Sequence, residues 1–202
     1  MYASRMKKII SIIAGAVLVD QIVKGILLSL AAGGWHLFGD YRALVPNPVL
    51  FPDSTGVIYP NPAGWFNLTF TWNPGTAFSL FQEMPAVFTI AATGLIIGFL
   101  GHYLFTKVRH NRELWAMSLI VGGALGNLID RIRFGAVIDF LNFGLPYKDC
   151  FDAVMPLIKS EIFICRWPAF NIADACISIG VALYILHYAL IFISKRKHNG
   201  KV

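Results

Sequence analysis

The sequence predicts a membrane α-helical protein, a four-transmembrane-helix bundle with a small extracytoplasmic β-sheet, built as a single integral membrane domain over residues 1–202. Of its 202 residues, 56% are hydrophobic and only 14% are charged, whereas a soluble domain carries about 25% charged residues. The hydrophobic residues are also clustered into four long runs. Because a helix that crosses a bilayer needs roughly 20 predominantly apolar residues, composition and clustering together exclude an ordinary soluble domain.

The four apolar runs predict membrane spans at about residues 9–30, 86–105, 114–131 and 174–193. The third run is marginal in length unless the turns that follow it stay helical. A cleaved signal peptide is an alternative for the first run, because Lys7 and Lys8 precede it. Asp20 and Lys24 lie inside or just beyond its apolar core, and this disfavours cleavage.

Lysine and arginine are distributed unequally between the two sides of the predicted bundle. The N-terminal tail, the loop between the second and third spans and the C-terminal tail together hold ten cations against one acid, Glu113. The positive-inside bias therefore places both termini in the cytoplasm and the segments 31–85 and 139–170 outside. The net charge of +6 then reflects topology and contact with anionic phospholipid headgroups, not nucleic acid.

The first outward segment predicts a small sheet. It holds seven of the ten prolines, so it cannot form one long helix. Within it, "WFNLTFTW" (65–72) alternates apolar and polar residues, which is typical of a half-buried strand. The turn "NPG" (73–75) then allows "TAFSLF" (76–81) to return as a second short strand.

Two cysteines fall in the second outward segment. If the outer side is oxidising, Cys150 and Cys165 can form a disulfide, and two free thiols are the alternative that stays open. Cys176 lies in the fourth span and is interpreted as a small packing residue.

The sequence lacks the motifs of most catalytic sets, including G-x-S-x-G, H-E-x-x-H, paired cysteines and a phosphate loop. Carboxylates and amides at the ends of the spans are the candidates that remain. Asp20 and Lys24 are four residues apart, with the acid first, which suits an ion pair on one helical face. A structural pair is favoured over a catalytic one, although intramembrane ions also mark functional interiors.

The end of the third span is rich in polar residues. Gly122 and Gly126 form a small-x-x-x-small face for close helix packing. Three polar residues follow on one side of the helix, Asn127, Asp130 and Arg131. Asp130 is interpreted as a carboxylate neutralised by Arg131 or Arg133, because a tightly paired carboxylate is a poor acid.

Asp139 and Asp174 both lie at the predicted outer membrane boundary, and no cation is adjacent to either in sequence. Asp174 alone is also explained as an acid in the first turn of a helix, where it satisfies the helix dipole. Together the two residues offer paired carboxylates in a half-dry site, of which one holds a proton near neutral pH. This is the chemical requirement of an aspartyl hydrolase.

Four blocks of the sequence resemble the signature blocks of the lipoprotein signal peptidase (signal peptidase II) family. They are "DQIVK" (20–24), "NPGTAF" (73–78), "GNLIDRIRFGAVIDF" (126–140) and "FNIAD" (170–174). The first block alone is a weak signal, whereas the third followed by the fourth is highly specific.

The resemblance implies a multi-pass aspartyl endopeptidase of the bacterial cell inner membrane. It implies that the enzyme cuts prolipoproteins before a diacylglyceryl-modified cysteine, needs no metal or organic cofactor, and uses Asp139 and Asp174 as its catalytic pair near the outer face. The remaining matches imply a lining of the site by Asn73, Asn127, Arg131 and Asn171, and support from Asp20, Lys24 and Asp130. The sheet corresponds to the family's cradle over the site. Residues 40–64 and 143–166 are longer than the family's compact loops, so their contacts to substrate are open.

Two other classes of function remain as alternatives. A small transporter or channel subunit would line an ion path with Asp20, Lys24, Asp130 and Asp139, but spans two and four offer no ionisable group near mid-depth apart from His187. An assembly factor with a polar core would tolerate changes from Asp to Asn. For the peptidase, the expected partners are lipid-modified prolipoprotein signal peptides and membrane phospholipid, with no nucleic acid and with the chain as a monomer.

Overall fold

The computed structural model describes residues 2–31, 57–60, 66–73, 86–143 and 168–199. Along the chain its elements are α1 (Tyr2–Ala31), β1 (Val57–Pro60), β2 (Phe66–Asn73), α2 (Ala86–Thr106), α3 (Asn111–Phe134), β3 (Val137–Phe143) and α4 (Ile172–Asn199). Each predicted span lies within one of these long helices, so the helical class with a small sheet is confirmed. The chain divides into two compact units.

Three helices of the described residues are long and apolar enough to cross a membrane, covering Ala3–Ala31, Val87–Thr106 and Ile172–Arg196. Their surfaces expose large apolar side chains, such as Leu95 and Phe99 of α2 at 76% and 72%. Apolar side chains on the outside of such helices fit contact with lipid, so the protein is a multi-pass membrane protein. Helix α3 is less apolar because charged residues occupy both its ends, and more of its side chains are buried within the protein.

The first unit comprises Met1–Gln21, Ile90–Ile129 and Ile172–Val202. Its apolar core is formed by side chains of α1, α2, α3 and the α2–α3 loop, namely Ile9, Ile12, Leu104, Val108, Leu114, Met117 and Val121. The connection between α2 and α3 is only four residues long, from Lys107 to His110. Short connections of this kind make consecutive helices antiparallel neighbours.

Small residues let α3 approach its neighbours closely in the first unit. A methyl group added at Gly122 would lie 2.8 Å from Cβ of Ala16 on α1, as expected of the predicted small-residue face. A methyl group at Gly123 would overlap the carbonyl oxygen of Ala173 on α4. In a membrane, helices associate largely through such close packing, so these glycines set the spacing of the helices.

Arg5 caps the C-terminal end of α2. Its guanidinium donates hydrogen bonds to the carbonyl oxygens of Leu104 at 2.8 Å, Val108 at 2.6 Å and Phe105 at 3.4 Å. The last carbonyls of a helix have no partner within the helix, and a cation at that end also complements the helix dipole. The beginning of α1 is thereby attached to the end of α2.

The second unit comprises Ile22–Thr89 and Asp130–Asn171 and contains a three-stranded antiparallel sheet in the order β1-β2-β3. The central strand, β2, confirms the strand predicted at 65–72 and is shifted by one residue. Its partner β3 begins directly after α3, where Gly135 has a φ of 68°, a left-handed conformation that glycine adopts without strain. The register pairs Trp72 with Ile138 and Thr71 with Asp139.

Two sequence predictions fall outside the described residues. One is the return strand at 76–81, and the other is the disulfide between Cys150 and Cys165. The third cysteine, Cys176, is described as a free and partly buried thiol on α4.

We expect Gly123→Ala to destabilise the protein, because its methyl group would meet the backbone of Ala173 and force α3 and α4 apart. The loss should be about 1–3 kcal/mol, the usual effect of overpacking. The matched control is Gly98→Ala on α2, where an added methyl group meets nothing within 4 Å and alanine favours the helix by about 1 kcal/mol. Thermal unfolding in detergent checks both, and an equal melting temperature for the two variants would contradict the close packing.

Candidate active site

Asp139 is buried on strand β3 and is held by two asparagine side chains. Its side chain is 3% exposed. Asn73 Nδ2 donates to Asp139 Oδ2 at 2.9 Å, and Asn171 Nδ2 donates to Asp139 Oδ1 at 2.7 Å. Each carboxylate oxygen therefore receives an amide N–H, and the carboxyl group is fixed in one orientation.

The backbone explains why these three residues meet. Asn73 is the last residue of β2, and β2 pairs with β3 so that Thr71 faces Asp139. The chain before α4 joins the other side of β3, where Phe170 exchanges backbone hydrogen bonds with Leu141 at 2.8 Å and 3.0 Å. This bridge positions Asn171 beside Asp139. Asn171 Nδ2 also donates to the Ile138 carbonyl at 3.2 Å.

Asp130, at the end of α3, forms a buried ion pair with Lys24 of α1. Lys24 Nζ lies 2.7 Å from Asp130 Oδ2, and their side chains are 2% and 1% exposed. The same oxygen accepts the backbone N–H of Ile138 at 3.2 Å. The sequence predicted neutralisation of Asp130 by Arg131 or Arg133; the structure shows Lys24, which is distant in sequence, as an ion-pair partner. Adjacent residues of a helix do not face each other, and a neighbouring helix can present its cation directly.

Asp174 lies in the first unit, in the first turn of α4, and is partly buried. Asn127 of α3, itself 7% exposed, donates from Nδ2 to Asp174 Oδ1 at 2.8 Å. The position of Asp174 also matches its alternative interpretation as a first-turn acid, since a carboxylate is favoured at a helix N-terminus. The structure adds a side-chain donor from another helix.

Asp20 is fully buried in the first unit and caps the start of α4. Its Oδ1 accepts the backbone N–H of Ala173 at 2.9 Å, and its Oδ2 accepts Gln21 Nε2 at 3.2 Å. Gln21 Nε2 also donates to the carbonyl of Gly126 at 3.2 Å, and a methyl group at Gly126 would lie 2.7 Å from Asp20 Oδ2. No role for Gln21 was predicted from the sequence, although Gln21 lies between Asp20 and Lys24 in the first signature block.

The predicted site residues thus form groups within each unit. In the second unit Asn73 and Asn171 surround Asp139, and Lys24 pairs with Asp130; Arg131 is also buried there, at 8% exposure. In the first unit Asn127 holds Asp174, and Asp20 caps α4. Among the residues that the structure describes, no group of three or more His, Cys, Asp or Glu side chains is arranged to hold a metal ion.

The sequence matches known proteins over most of its length. Residues 12–190 match the family model described as signal peptidase (SPase) II. The lipoprotein signal peptidase of Desulforapulum autotrophicum is 36% identical over 151 residues, which cover 72% of this chain and 80% of the relative. That of Syntrophus aciditrophicus is 38% identical over 147 residues, covering 68% and 75%. A bacterial membrane enzyme solved by the in meso method at 2.3 Å resolution shares 26% identity with a TM-score of 0.65, covering 95% of this chain and 92% of that one.

Fold and site together define a helical membrane enzyme in which asparagine amides hold two carboxylates, one buried and one partly buried. The chain belongs to the signal peptidase II family and is an aspartic endopeptidase. This membership sets aside the transporter and the assembly-factor interpretations.

We expect Asp130→Asn to lower the free energy of unfolding by about 3–5 kcal/mol, because it leaves the buried Lys24 without its counter-charge. The double variant Lys24→Met/Asp130→Asn should recover most of that loss, since it removes both charges while the asparagine oxygen can still accept the Ile138 N–H. Denaturation of all three proteins in detergent provides the measurement. A double variant no more stable than Asp130→Asn would contradict the pairing.

Proposed function

We propose that this peptidase removes signal peptides from lipid-modified prolipoproteins, cutting before the lipidated cysteine, with Asp139 and Asp174 as its catalytic pair. Family membership supports the reaction, because the curated relatives carry the name lipoprotein signal peptidase. The order of the signature blocks supports the pair, because Asp139 and Asp174 occupy the matching positions of the third and fourth blocks.

The observation that carries the choice of pair is the nature of the groups that hold each carboxylate. Asparagine amides hold Asp139 and Asp174, while a lysine holds Asp130. Asp20 is already engaged in capping α4. Asp130 and Asp20 thus have structural tasks, and we assign the reaction to Asp139 and Asp174.

In the proposed reaction, the two carboxyl groups share one proton. The ionised group accepts a proton from a water molecule as that water attacks the carbonyl carbon of the scissile bond, and the protonated group donates a hydrogen bond to the carbonyl oxygen. The C–N bond then breaks as the leaving nitrogen takes a proton from the pair. The products are the signal peptide and a lipoprotein with an N-terminal cysteine.

The supporting residues have separate tasks in this scheme. Asn73, Asn171 and Asn127 orient the two carboxyl groups, and their remaining amide atoms, with Arg131, hold the substrate backbone. Lys24 and Asp130 hold the start of β3 through the Ile138 N–H, and Asp139 is the next residue of that strand. Asp20 braces the start of α4, which carries Asp174. The sheet forms the cradle over the site.

The proposed topology has four spans in the bacterial inner membrane, in which α3 joins the three more apolar helices, and both termini lie in the cytoplasm. The ten cations of the two tails and of residues 107–112 support this orientation. It places the sheet and the catalytic pair at the outer face, where a translocated precursor arrives. Membrane phospholipid surrounds the bundle, and the enzyme acts as a monomer.

Asp139→Asn and Asp174→Asn should each lower cleavage of a lipid-modified precursor by about 10²–10⁴-fold, the usual contribution of general acid–base catalysis. The double variant should lose little more than either single one, because groups that act as a unit fail together. Turnover by purified protein in detergent is the readout, with thermal unfolding to show that each variant is folded.

The matched control for these variants is Glu113→Gln. Glu113 is buried, and its Oε1 accepts hydrogen bonds from Tyr103 and Tyr188 at 2.9 Å and 3.0 Å. The amide oxygen of glutamine accepts both, so this variant should keep most of its activity. Substantial turnover by a folded Asp139→Asn or Asp174→Asn would remove that residue from the pair.

The topology is testable by accessibility labelling in a background without native cysteines. A cysteine introduced as Arg109→Cys in the α2–α3 loop should react with a membrane-impermeant reagent only after the cytoplasmic side is opened. One introduced as Phe143→Cys, at the 45% exposed end of β3, should react in intact spheroplasts. The reverse pattern would refute the orientation and leave the peptidase assignment in place.

A further inference from the structure

A cavity of about 570 Å³ lies in the first unit, between the N-terminal end of α3 and the C-terminal part of α4. None of the residues assigned to catalysis contributes to it. Its lining consists of His110, Asn111, Arg112, His187, Leu190, Ile191, Ser194 and Lys195.

The charge of the lining favours an anionic ligand. Arg112 and Lys195 are cations, and none of the eight lining residues is a carboxylate. Lys8 lies at the edge of the cavity, where its Nζ is 3.3 Å from Oδ1 of Asn111. Asn111 also begins α3, and the first N–H groups of a helix attract negative charge. Cationic side chains of this kind disfavour a metal ion.

The nearest acid is turned away from such a ligand. Glu113, in the first turn of α3, is 4% exposed. Its Oε1 accepts hydrogen bonds from the hydroxyl groups of Tyr103 and Tyr188, and it does not line the cavity. The Glu113 carboxylate therefore accepts two hydrogen bonds outside the lining and does not lie beside Arg112 and Lys195 inside the cavity.

His187 contributes a buried ring nitrogen to this part of the protein. Its side chain is 6% exposed, and its ring packs against those of His110 and Tyr188 at centroid distances of 5.3 Å and 5.2 Å. Its Nε2 is buried and has no hydrogen-bond partner among the described residues. Buried polar atoms are almost always hydrogen-bonded, and His187 is one of the residues that line the cavity.

The remaining lining residues indicate what is attached to the anion. Leu190 and Ile191 belong to α4, which is apolar enough to span a membrane. Together they form an apolar wall beside the cationic end of the cavity. A phosphate carried by acyl chains fits such a lining better than a free phosphate ion, which gains nothing from apolar contacts.

We propose that this cavity binds the phosphate group of an anionic phospholipid, with Arg112 and Lys195 as counter-charges and His187 Nε2 as a hydrogen-bonding partner. The acyl chains of this phospholipid lie along Leu190 and Ile191. In the proposed topology this is the cytoplasmic leaflet, whose anionic lipids bind basic pockets between helices. The site goes beyond the peptidase reaction and does not depend on the catalytic pair.

The test measures phosphatidylglycerol and phosphatidylcholine binding to delipidated full-length protein in detergent, by native mass spectrometry, with inorganic phosphate as a separate arm. Wild-type protein should prefer phosphatidylglycerol. Arg112→Gln/Lys195→Gln should weaken its binding by roughly 10–30-fold, as expected when two cations near a membrane surface are lost. His187→Phe, which keeps a ring but removes Nε2, should also weaken it.

The matched control is Lys107→Gln/Arg196→Gln, which removes the same charge from exposed positions outside the cavity and should change binding less than twofold. If Arg112→Gln/Lys195→Gln fails to fold, Lys195→Gln alone, at an exposed position, serves as the variant. Equal binding of the two lipids, or an equal loss in the control, would overturn the proposal. Inorganic phosphate binding at least as tightly as phosphatidylglycerol would make this a free-phosphate site and overturn the lipid assignment.

Discussion

The ion pair between Lys24 and Asp130 is the constraint on which the second unit depends. A buried charge is tolerated only with a well-placed counter-charge and further hydrogen bonds, and both are present at 2.7 Å and through the Ile138 N–H. Because Ile138 directly precedes Asp139 on β3, the pair positions the strand on which the proposed catalytic carboxylate lies. These two buried charges are thus retained as part of the scaffold.

Several of the polar contacts in both units are made at the ends of helices and strands. Asp20 caps the first turn of α4, Arg5 caps the last turn of α2, and Asn171 immediately precedes α4. The ends of helices have unpaired backbone groups, so side chains placed there satisfy the backbone and become fixed in turn. This explains how a largely apolar chain holds several buried polar residues without a large polar core.

Local periodicity predicted the elements of this protein better than it predicted their partners. The alternation at 65–72 identified β2, and the apolar runs identified all four helices. Strand β3 was missed because its buried residues, such as Ile138 and Phe140, form an almost unbroken apolar run after α3. Such runs are typical of a strand covered on both faces and give no period-2 signal. Helix α3 likewise gives a weak transmembrane signal. Many of its side chains pack within the protein, and such side chains need not be as apolar as those that contact lipid.

The sequence by itself determined the membrane class, the helices and the central strand, and the resemblance of its signature blocks predicted Asp139 and Asp174 as the catalytic acids. Only the tertiary structure decided which group holds each acid: Lys24 for Asp130, the amides of Asn73 and Asn171 for Asp139, and Asn127 for Asp174. The physical reason is that helical and strand periods report which face of an element is apolar. The partner of a buried carboxylate comes from another element, and its identity depends on how those elements pack.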